Sequence, residues 1–145
     1  MTSKELIQKK KDYLYSYKPI ERRIRQIEDD IRKLKLEADG ARAIQYSDMP
    51  KGSMNLQSPQ ETYVTLLENA VERKWKLKEE YVRKKEEIRQ AIHEIGDADM
   101  ESLLEYKYLD RLKIKQISKL MGYERTQLYR IHEKALEKLE IPCEK

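Results

Sequence analysis

Several residues suited to base recognition follow one another near the C-terminus of this 145-residue chain. Arginine can form two hydrogen bonds with guanine and glutamine two with adenine in the major groove of DNA, and a threonine can contact a thymine methyl group. The candidate base-contacting residues are Arg125, Thr126, Gln127 and Arg130. Their chemistry predicts a segment that reads base edges in double-stranded DNA.

Basic residues are concentrated around the same segment. Residues 107–134 contain eight lysines and arginines against three acidic residues, a local excess of +5. Phosphate contacts supply most of the non-specific affinity for DNA, so this local charge matters more than the net charge of +4 for the whole chain. Lys113 and Lys115 are expected to lie against the phosphate backbone, and Lys134 is a further candidate contact.

The apolar residues of this region indicate the elements that would position these side chains. Two amphipathic stripes flank Gly122, which can supply the positive φ that ends a helix. The stripes are Ile114, Ile117, Leu120 and Met121 on one side, and Leu128, Ile131, Ala135 and Leu139 on the other. The pattern predicts a helix-turn-helix with helices at 114–121 and 125–139, preceded by a helix at 99–110.

The spacing of the motif resembles region 4 of bacterial sigma factors. The resemblance is carried by Ile117-Ser118 in the first helix, Gly122 in the turn, and Ala135-Leu136 near the end of the second helix. It extends back through residues 100–109 and covers roughly the last third of the chain.

The resemblance implies that Arg125, Thr126, Tyr129 and Arg130 occupy positions at which that family contacts DNA. Thr126, Gln127 and Tyr129 stand where primary sigma factors commonly have Glu, Arg and Arg. This departure argues against a sigma-type promoter element as the target.

A long apolar seam precedes the motif. From Leu6 to Ala38 the apolar and aromatic positions fit a period of 3.5, which is typical of a coiled coil, with Lys10 as the only polar member. The helix that carries this seam is expected over residues 3–38. Pro19 interrupts the seam, so a kink or a new helix is expected near Lys18. Asp39-Gly40 is expected to end this helix.

A second long helix is expected at residues 59–95. Ser58-Pro59 and Glu61 form a strong helix start, with a serine N-cap, a proline at the first position and a glutamate three residues after the cap. Its own apolar seam continues to Gly96. The segment between the two helices, residues 39–58, is expected to be a loop.

Two long helices with one seam each predict an antiparallel hairpin. The expected domains are a coiled-coil hairpin over residues 1–96 and a helix-turn-helix domain over residues 97–145. Leu66, Val71 and Trp75 lie beside the second seam, so we expect a homo-oligomer, a dimer or a tetramer, assembled through the hairpin.

Composition narrows the class of protein further. Charged residues make up 40% of the chain and hydrophobic residues 39%, which favours thin helical packing over a broad core. The lone Cys143 permits neither an internal disulfide nor a cysteine-based metal cluster. The sequence offers no apolar run long enough to span a membrane, and a soluble protein of the bacterial cytoplasm is expected.

Catalysis has little support in the sequence. His93 and His132 lack partners at catalytic spacing, and none of the glycines belongs to a phosphate-binding loop. We therefore expect no enzyme, no cofactor and no metal.

The layout as a whole resembles phage and prophage late-gene regulators of the ArpU and RinA type. That resemblance implies a sequence-specific transcriptional regulator, with RNA polymerase as a possible second partner. Two alternatives stay open: a DNA-packaging component similar to a small terminase subunit, and a coiled-coil scaffold that does not bind DNA.

Overall fold

The computed structural model describes residues 2–47 and 59–142, and it describes side chains for residues 2–40 and 61–142. Within these ranges all regular secondary structure is helical, which confirms the all-α prediction. The elements are α1 (Ser3–Leu14), α2 (Lys18–Ser47), α3 (Pro59–His93), α4 (Ala98–Leu104), a π-helical turn (Glu105–Leu109), α5 (Ile114–Met121) and α6 (Arg125–Lys138). A long antiparallel hairpin, formed by α2 and α3, is followed by a small helix-turn-helix region.

The helix predicted for residues 3–38 is divided where a new start was expected. α1 ends at Leu14, a short turn follows, and α2 begins at Lys18. Pro19 then lies in the first turn of α2, where its missing N–H costs no intrahelical hydrogen bond. Thr2 caps the start of α1, because its Oγ1 accepts a hydrogen bond from the Glu5 amide at 3.2 Å.

The predicted end of the helix at Asp39-Gly40 is wrong. α2 continues through Gly40 to Ser47. A glycine inside a helix costs only about 1 kcal/mol relative to alanine, and Ala38, Ala41 and Ala43, which are strong helix formers, surround it. The predicted loop is shorter for this reason, and its part from 48 to 58 lies outside the described residues.

The chain divides into two compact units. One unit comprises residues 19–81, from α2 and α3. Its hairpin is held by buried Ile24, Ile31 and Ala70. Lys74 Nζ also lies 3.3 Å from the Glu28 carboxylate. Much of the predicted seam on either side of these residues is only half-buried.

The other unit comprises residues 1–18 and 82–145. More large side chains are fully buried here than in the described part of the hairpin, and they come from α1, the end of α3, α4, α5, α6 and the segments next to them. Its most deeply buried large side chains are Leu14, Tyr17, Ile88, Ile92, Leu103, Leu104, Tyr108, Ile117, Leu128, Leu136 and Leu139. The predicted boundary at Gly96 lies within this unit, and the functional division into hairpin and DNA-binding domain stays a prediction.

The helix predicted for residues 99–110 is present but changes type. Gly96, with φ of +82°, follows α3, and Asp97 caps α4 by accepting a hydrogen bond from the Met100 amide at 3.0 Å. From Glu105 onward the chain forms a π-helical turn. The wider π-helical turn places side chains that are five residues apart on the same face of the helix. Leu103 and Tyr108 are related in this way, as are Leu104 and Leu109, and all four side chains are buried.

Candidate nucleic-acid interface

The helix-turn-helix is built on a compact apolar cluster. Leu103, Ile117 and Leu128 are fully buried against one another and come from α4, α5 and α6. Ile114, Met121 and Ile131 pack around them, as their spacing predicts. Leu120 differs from the prediction, since 59% of its surface is exposed. In the helical projection of α5, the buried face is centred between Ile117 and Met121, and Leu120 lies outside that face.

The turn between α5 and α6 is fixed by specific hydrogen bonds. Gly122 has φ of +76°, as expected of a glycine that ends a helix, and its amide donates to the Ser118 carbonyl at 2.9 Å. Ser118 Oγ donates to the Tyr123 carbonyl at 2.5 Å, and the Tyr123 hydroxyl donates to Asp99 at 2.6 Å. The carboxylate of Asp99 raises the pKa of Tyr123, so the hydroxyl stays protonated. These contacts join the turn to α4 and fix where α6 begins.

Glutamine side chains cap both helices of the motif. The Glu124 amide donates to Oε1 of Gln127 at 3.1 Å at the start of α6. At the start of α5, the Lys113 amide donates to Oε1 of Gln116 at 3.0 Å. Sequence analysis assigned Gln127 to base recognition alone and did not identify Gln116. The available signal was a glutamine at the third position of each helix, which is a capping-box position.

All eight predicted contact residues are exposed. They are Lys113, Lys115, Arg125, Thr126, Gln127, Tyr129, Arg130 and Lys134. Thr126, Arg130 and Lys134 are spaced by four along α6 and therefore share one outward face. Lys113 and Lys115 lie at the first turn of α5 instead. Two groups of residues result, one along α6 and one at the start of α5.

Tyr129 is separated from the outward face of α6. Its ring, 49% exposed, borders a groove of about 460 Å³ shared with Ile7 and Lys11 of α1. In the helical projection Tyr129 lies on the side of α6 that faces α1. Its assignment as a DNA contact therefore requires DNA to approach the flank of α6 as well as its outward face.

α1 supports α6 through a buried lysine. Lys10 is only 8% exposed, and its Nζ donates to the carbonyls of Leu136 and Glu137 at 2.8 Å and 3.1 Å. These carbonyls belong to the last turn of α6, where backbone acceptors lack helical partners and a cation is favoured by the helix dipole. Lys10 was visible in the sequence as the one polar member of an apolar seam, but its partner was not.

An aromatic cluster joins the turn after α1 to the helix-turn-helix. The Tyr17 hydroxyl donates to the Tyr108 carbonyl, and the Tyr15 and Tyr108 rings lie 4.7 Å apart between centroids. The Tyr108 hydroxyl is 2.8 Å from His132 Nε2, and these two rings are stacked.

Burial controls the protonation of this cluster. It raises the pKa of Tyr108, and it lowers the pKa of His132 to about 4 with help from the positive charges of Lys107 and Lys11. At neutral pH the tyrosine is therefore the donor and a neutral His132 the acceptor.

His93 also has a structural contact. Its Nε2 lies 2.5 Å from a carboxylate oxygen of Glu105, which connects the end of α3 to the π-helical turn.

Among the described residues, no group of three histidine, cysteine or acidic side chains is arranged to hold a metal ion. None of the helices described is both long and apolar enough to cross a membrane.

The comparisons with known proteins give one family. Neither the comparison with curated proteins nor that with solved structures found a match. A family model described as "Protein of unknown function (DUF1492)" matches residues 43–140. The matched range includes all of α3, α4, α5 and α6, and it covers more than half of the chain. The chain therefore belongs to the DUF1492 family.

Proposed function

We propose that this protein is a sequence-specific regulator of transcription that binds double-stranded DNA through α6. The observation that supports this most strongly is the outward face of α6, on which Thr126, Arg130 and Lys134 are exposed. This face follows a rigid turn and rests on a buried core, so its side chains are held at defined positions. A helix presented in this way can enter the major groove with its N-terminal end.

Local charge supports the same proposal. Residues 107–134 carry an excess of five positive charges, and neither Lys113 nor Lys115 is buried. Lysines at the start of α5 can contact phosphates on either side of a groove occupied by α6. Base contacts from α6 and phosphate contacts from α5 would then have separate roles.

We further propose that the hairpin joins copies of the chain into a dimer or tetramer. Trp75 of α3 is 63% exposed, and Val64, Leu66 and Val71 on the same helix are also exposed. Exposed apolar side chains repeated along one helix are typical of an interface with another helix. Joining two DNA-binding modules makes the second contact intramolecular and raises the affinity for paired sites.

The biological setting that fits this layout is a phage or prophage late-gene regulator of the ArpU or RinA type. The helix-turn-helix resembles sigma region 4, and a regulator of this kind would have RNA polymerase as a second partner. Leu120 supports such a contact, because it exposes a large apolar side chain on α5, the first helix of the motif.

A DNA-packaging subunit similar to a small terminase is the second candidate. The exposed side chains around Trp75 favour it to the same degree, since ring assemblies also need an apolar surface between copies. A coiled-coil scaffold that does not bind DNA is a third candidate, and it predicts no enrichment in the experiment below.

Selection of bound sequences from a random DNA library by the purified full-length protein tests the proposal. A sequence-specific regulator should enrich a defined motif, and two half-sites at fixed spacing if it binds as a dimer. Light scattering on the same sample distinguishes a dimer or tetramer from a ring. Failure to enrich any sequence, with the protein folded and at low salt, would contradict the proposal.

A further inference from the structure

A basic groove lies at the junction of the α1–α2 turn, the π-helical turn and the start of α5. Its volume is about 400 Å³. Its cationic lining residues are Lys18, Lys107, Arg111 and Lys113, with Tyr15 forming one wall. No carboxylate is among the residues that line it. We propose that this groove, the elbow groove, binds a phosphate group.

Aromatic rings hold the cations of the elbow groove in place. Lys18 Nζ lies 3.9 Å from the centroid of the Tyr15 ring, and the Arg111 guanidinium carbon lies 5.7 Å from that of Tyr17. Lys107 Nζ is 6.0 Å from the centroid of Tyr108. A ring face attracts a cation but accepts its hydrogen bonds weakly, so an ammonium held this way can still donate to phosphate oxygens.

The backbone at Arg111 has an unusual conformation for its residue type. Arg111 has φ of +55°, the left-handed region in which glycine is usual. The Leu112 amide then donates to the Tyr106 carbonyl at 2.9 Å, which ends the preceding helix. An arginine costs more than a glycine here by about 1 kcal/mol, and only the arginine places a guanidinium in the groove.

Two further features increase the positive potential of the groove. Lys113 and Ile114 at the start of α5 line the groove, so the positive end of that helix dipole lies beside it. Lys107 is partly buried beside Lys11, and both effects lower the pKa of Lys107. A bound anion would relieve this repulsion. Asp110, the nearest acidic residue in sequence, is exposed and does not line the groove.

Two sources could supply the phosphate group. One is the backbone of DNA, in which case Lys18 and Lys107 extend the phosphate contact of Lys113, and this source rests on the proposed function. The other is a small ligand such as inorganic phosphate or a nucleotide. Both sources present the same tetrahedral anion to the same side chains, so the experiment has one arm for each.

The test uses the full chain and the double variant Lys18→Gln/Lys107→Gln. The variant Lys33→Gln serves as a control, because Lys33 is an exposed lysine of α2 in the other compact unit. A charge-retaining variant, Lys18→Arg/Lys107→Arg, distinguishes loss of charge from loss of packing. Far-UV circular dichroism establishes that each variant is folded.

In the first arm, inorganic phosphate is titrated at constant ionic strength while NMR follows the backbone amides of Arg111 and Leu112. The wild type and the Lys33→Gln control should show saturable shifts that the double glutamine variant lacks. In the second arm, DNA affinity is measured against salt concentration. The double glutamine variant should lower the slope of log affinity against log salt by about one unit per lost phosphate contact, on all sequences alike.

The outcomes separate the sources. Loss in both arms, or in the DNA arm alone, assigns the groove to the DNA backbone. Loss in the phosphate arm alone supports a site for a free phosphate ligand, and this arm decides even if the wild type binds no DNA. If the double glutamine variant matches Lys33→Gln in both arms, the elbow groove binds no phosphate and the proposal is wrong.

Discussion

The side-chain amide of Gln127 accepts a hydrogen bond from the Glu124 backbone while its other atoms remain exposed at the start of α6. One residue can thus serve the fold through its oxygen and a ligand through its nitrogen. A simple Gln127→Ala substitution would remove both functions at once. Any loss of DNA binding by that variant would be ambiguous for this reason.

Gln127→Glu separates the two functions. A glutamate at this position can still accept the Glu124 amide, as in a capping box, so the free energy of unfolding should change by less than about 0.5 kcal/mol. The variant loses the amide donor needed for adenine and gains a negative charge, so affinity for the selected DNA site should fall at least tenfold. Urea unfolding and fluorescence anisotropy measure the two quantities. Unchanged DNA affinity in Gln127→Glu would remove Gln127 from the interface.

The lowered pKa of His132 predicts that the free energy of unfolding depends on pH. Burial lowers its pKa to about 4 in the folded protein, from an ordinary value of 6.5. Between these values the unfolded chain binds more protons, so stability is fully present above pH 6.5 and is lost as the pH falls toward 4. The loss is at most about 3 kcal/mol, and less because the ring is partly exposed to solvent. Urea unfolding at pH 7.5 and pH 5 measures it.

The control is His132→Gln, which cannot titrate. The wild type should lose more stability between the two pH values than this variant does. Equal losses in the two proteins would show that carboxylates, and not His132, govern the acid sensitivity.

The exposure of the candidate site residues could be predicted from the sequence. The eight predicted contact residues are all on the surface, because an amphipathic pattern predicts which side of a helix faces solvent. Sequence analysis failed for Lys10, Tyr108 and Asp99, whose partners are distant in the sequence. A single sequence carries no signal that pairs Lys10 with carbonyls more than 120 residues away.

At the level of secondary structure, the buried contact between α1 and α6 supports the helix-turn-helix. Lys10→Met removes the donor and leaves the carbonyls of Leu136 and Glu137 without their observed lysine partner. We expect a loss of about 1–3 kcal/mol in the free energy of unfolding. Thermal and urea unfolding of the full chain measure it.

Lys9→Met is the matched control, because Lys9 is an exposed neighbour on the same helix. It should change stability by less than about 0.5 kcal/mol. Equal stability of Lys10→Met and Lys9→Met would mean that the buried lysine contributes nothing to the docking of α1.

Helix types were easier to predict than helix ends. The start of α3 was predicted from Ser58-Pro59, and those of α5 and α6 from the apolar stripes on either side of Gly122; all three agree with the structure. The end of α2 was predicted too early because a glycine does not end a helix by itself. A helix ends at a glycine only where a non-helical backbone conformation is more favourable than the helical one. The π-helical turn was missed because burial of Tyr108 depends on tertiary packing against Tyr15 and His132.

At the level of the whole molecule, self-association is the property that would join two DNA-binding motifs. The chain contains one tryptophan, Trp75, and it is 63% exposed in a single copy. If α3 forms the interface, dilution should shift the Trp75 emission to longer wavelength as the oligomer dissociates. Trp75→Ser should reduce the mass measured by light scattering while helicity is unchanged.

Lys76→Ser is the control on the same helix, since Lys76 is exposed and its Nζ lies 3.5 Å from the Glu72 carboxylate. It should leave the mass of the oligomer as it is in the wild type. A monomeric wild type, or a Trp75→Ser protein with wild-type mass, would rule out this surface as the interface.

The central claim is that α6 reads bases while the start of α5 contacts phosphates, and a salt titration of two variants tests it most directly. DNA affinity of Arg130→Ala and Lys113→Ala is measured on a selected site and on a scrambled site. Arg130→Ala should lose about 1–3 kcal/mol on the selected site alone. Lys113→Ala should weaken both sites equally and lower the salt slope by about one unit. Equal losses on both sites for both variants would leave only a basic surface and contradict base reading by α6.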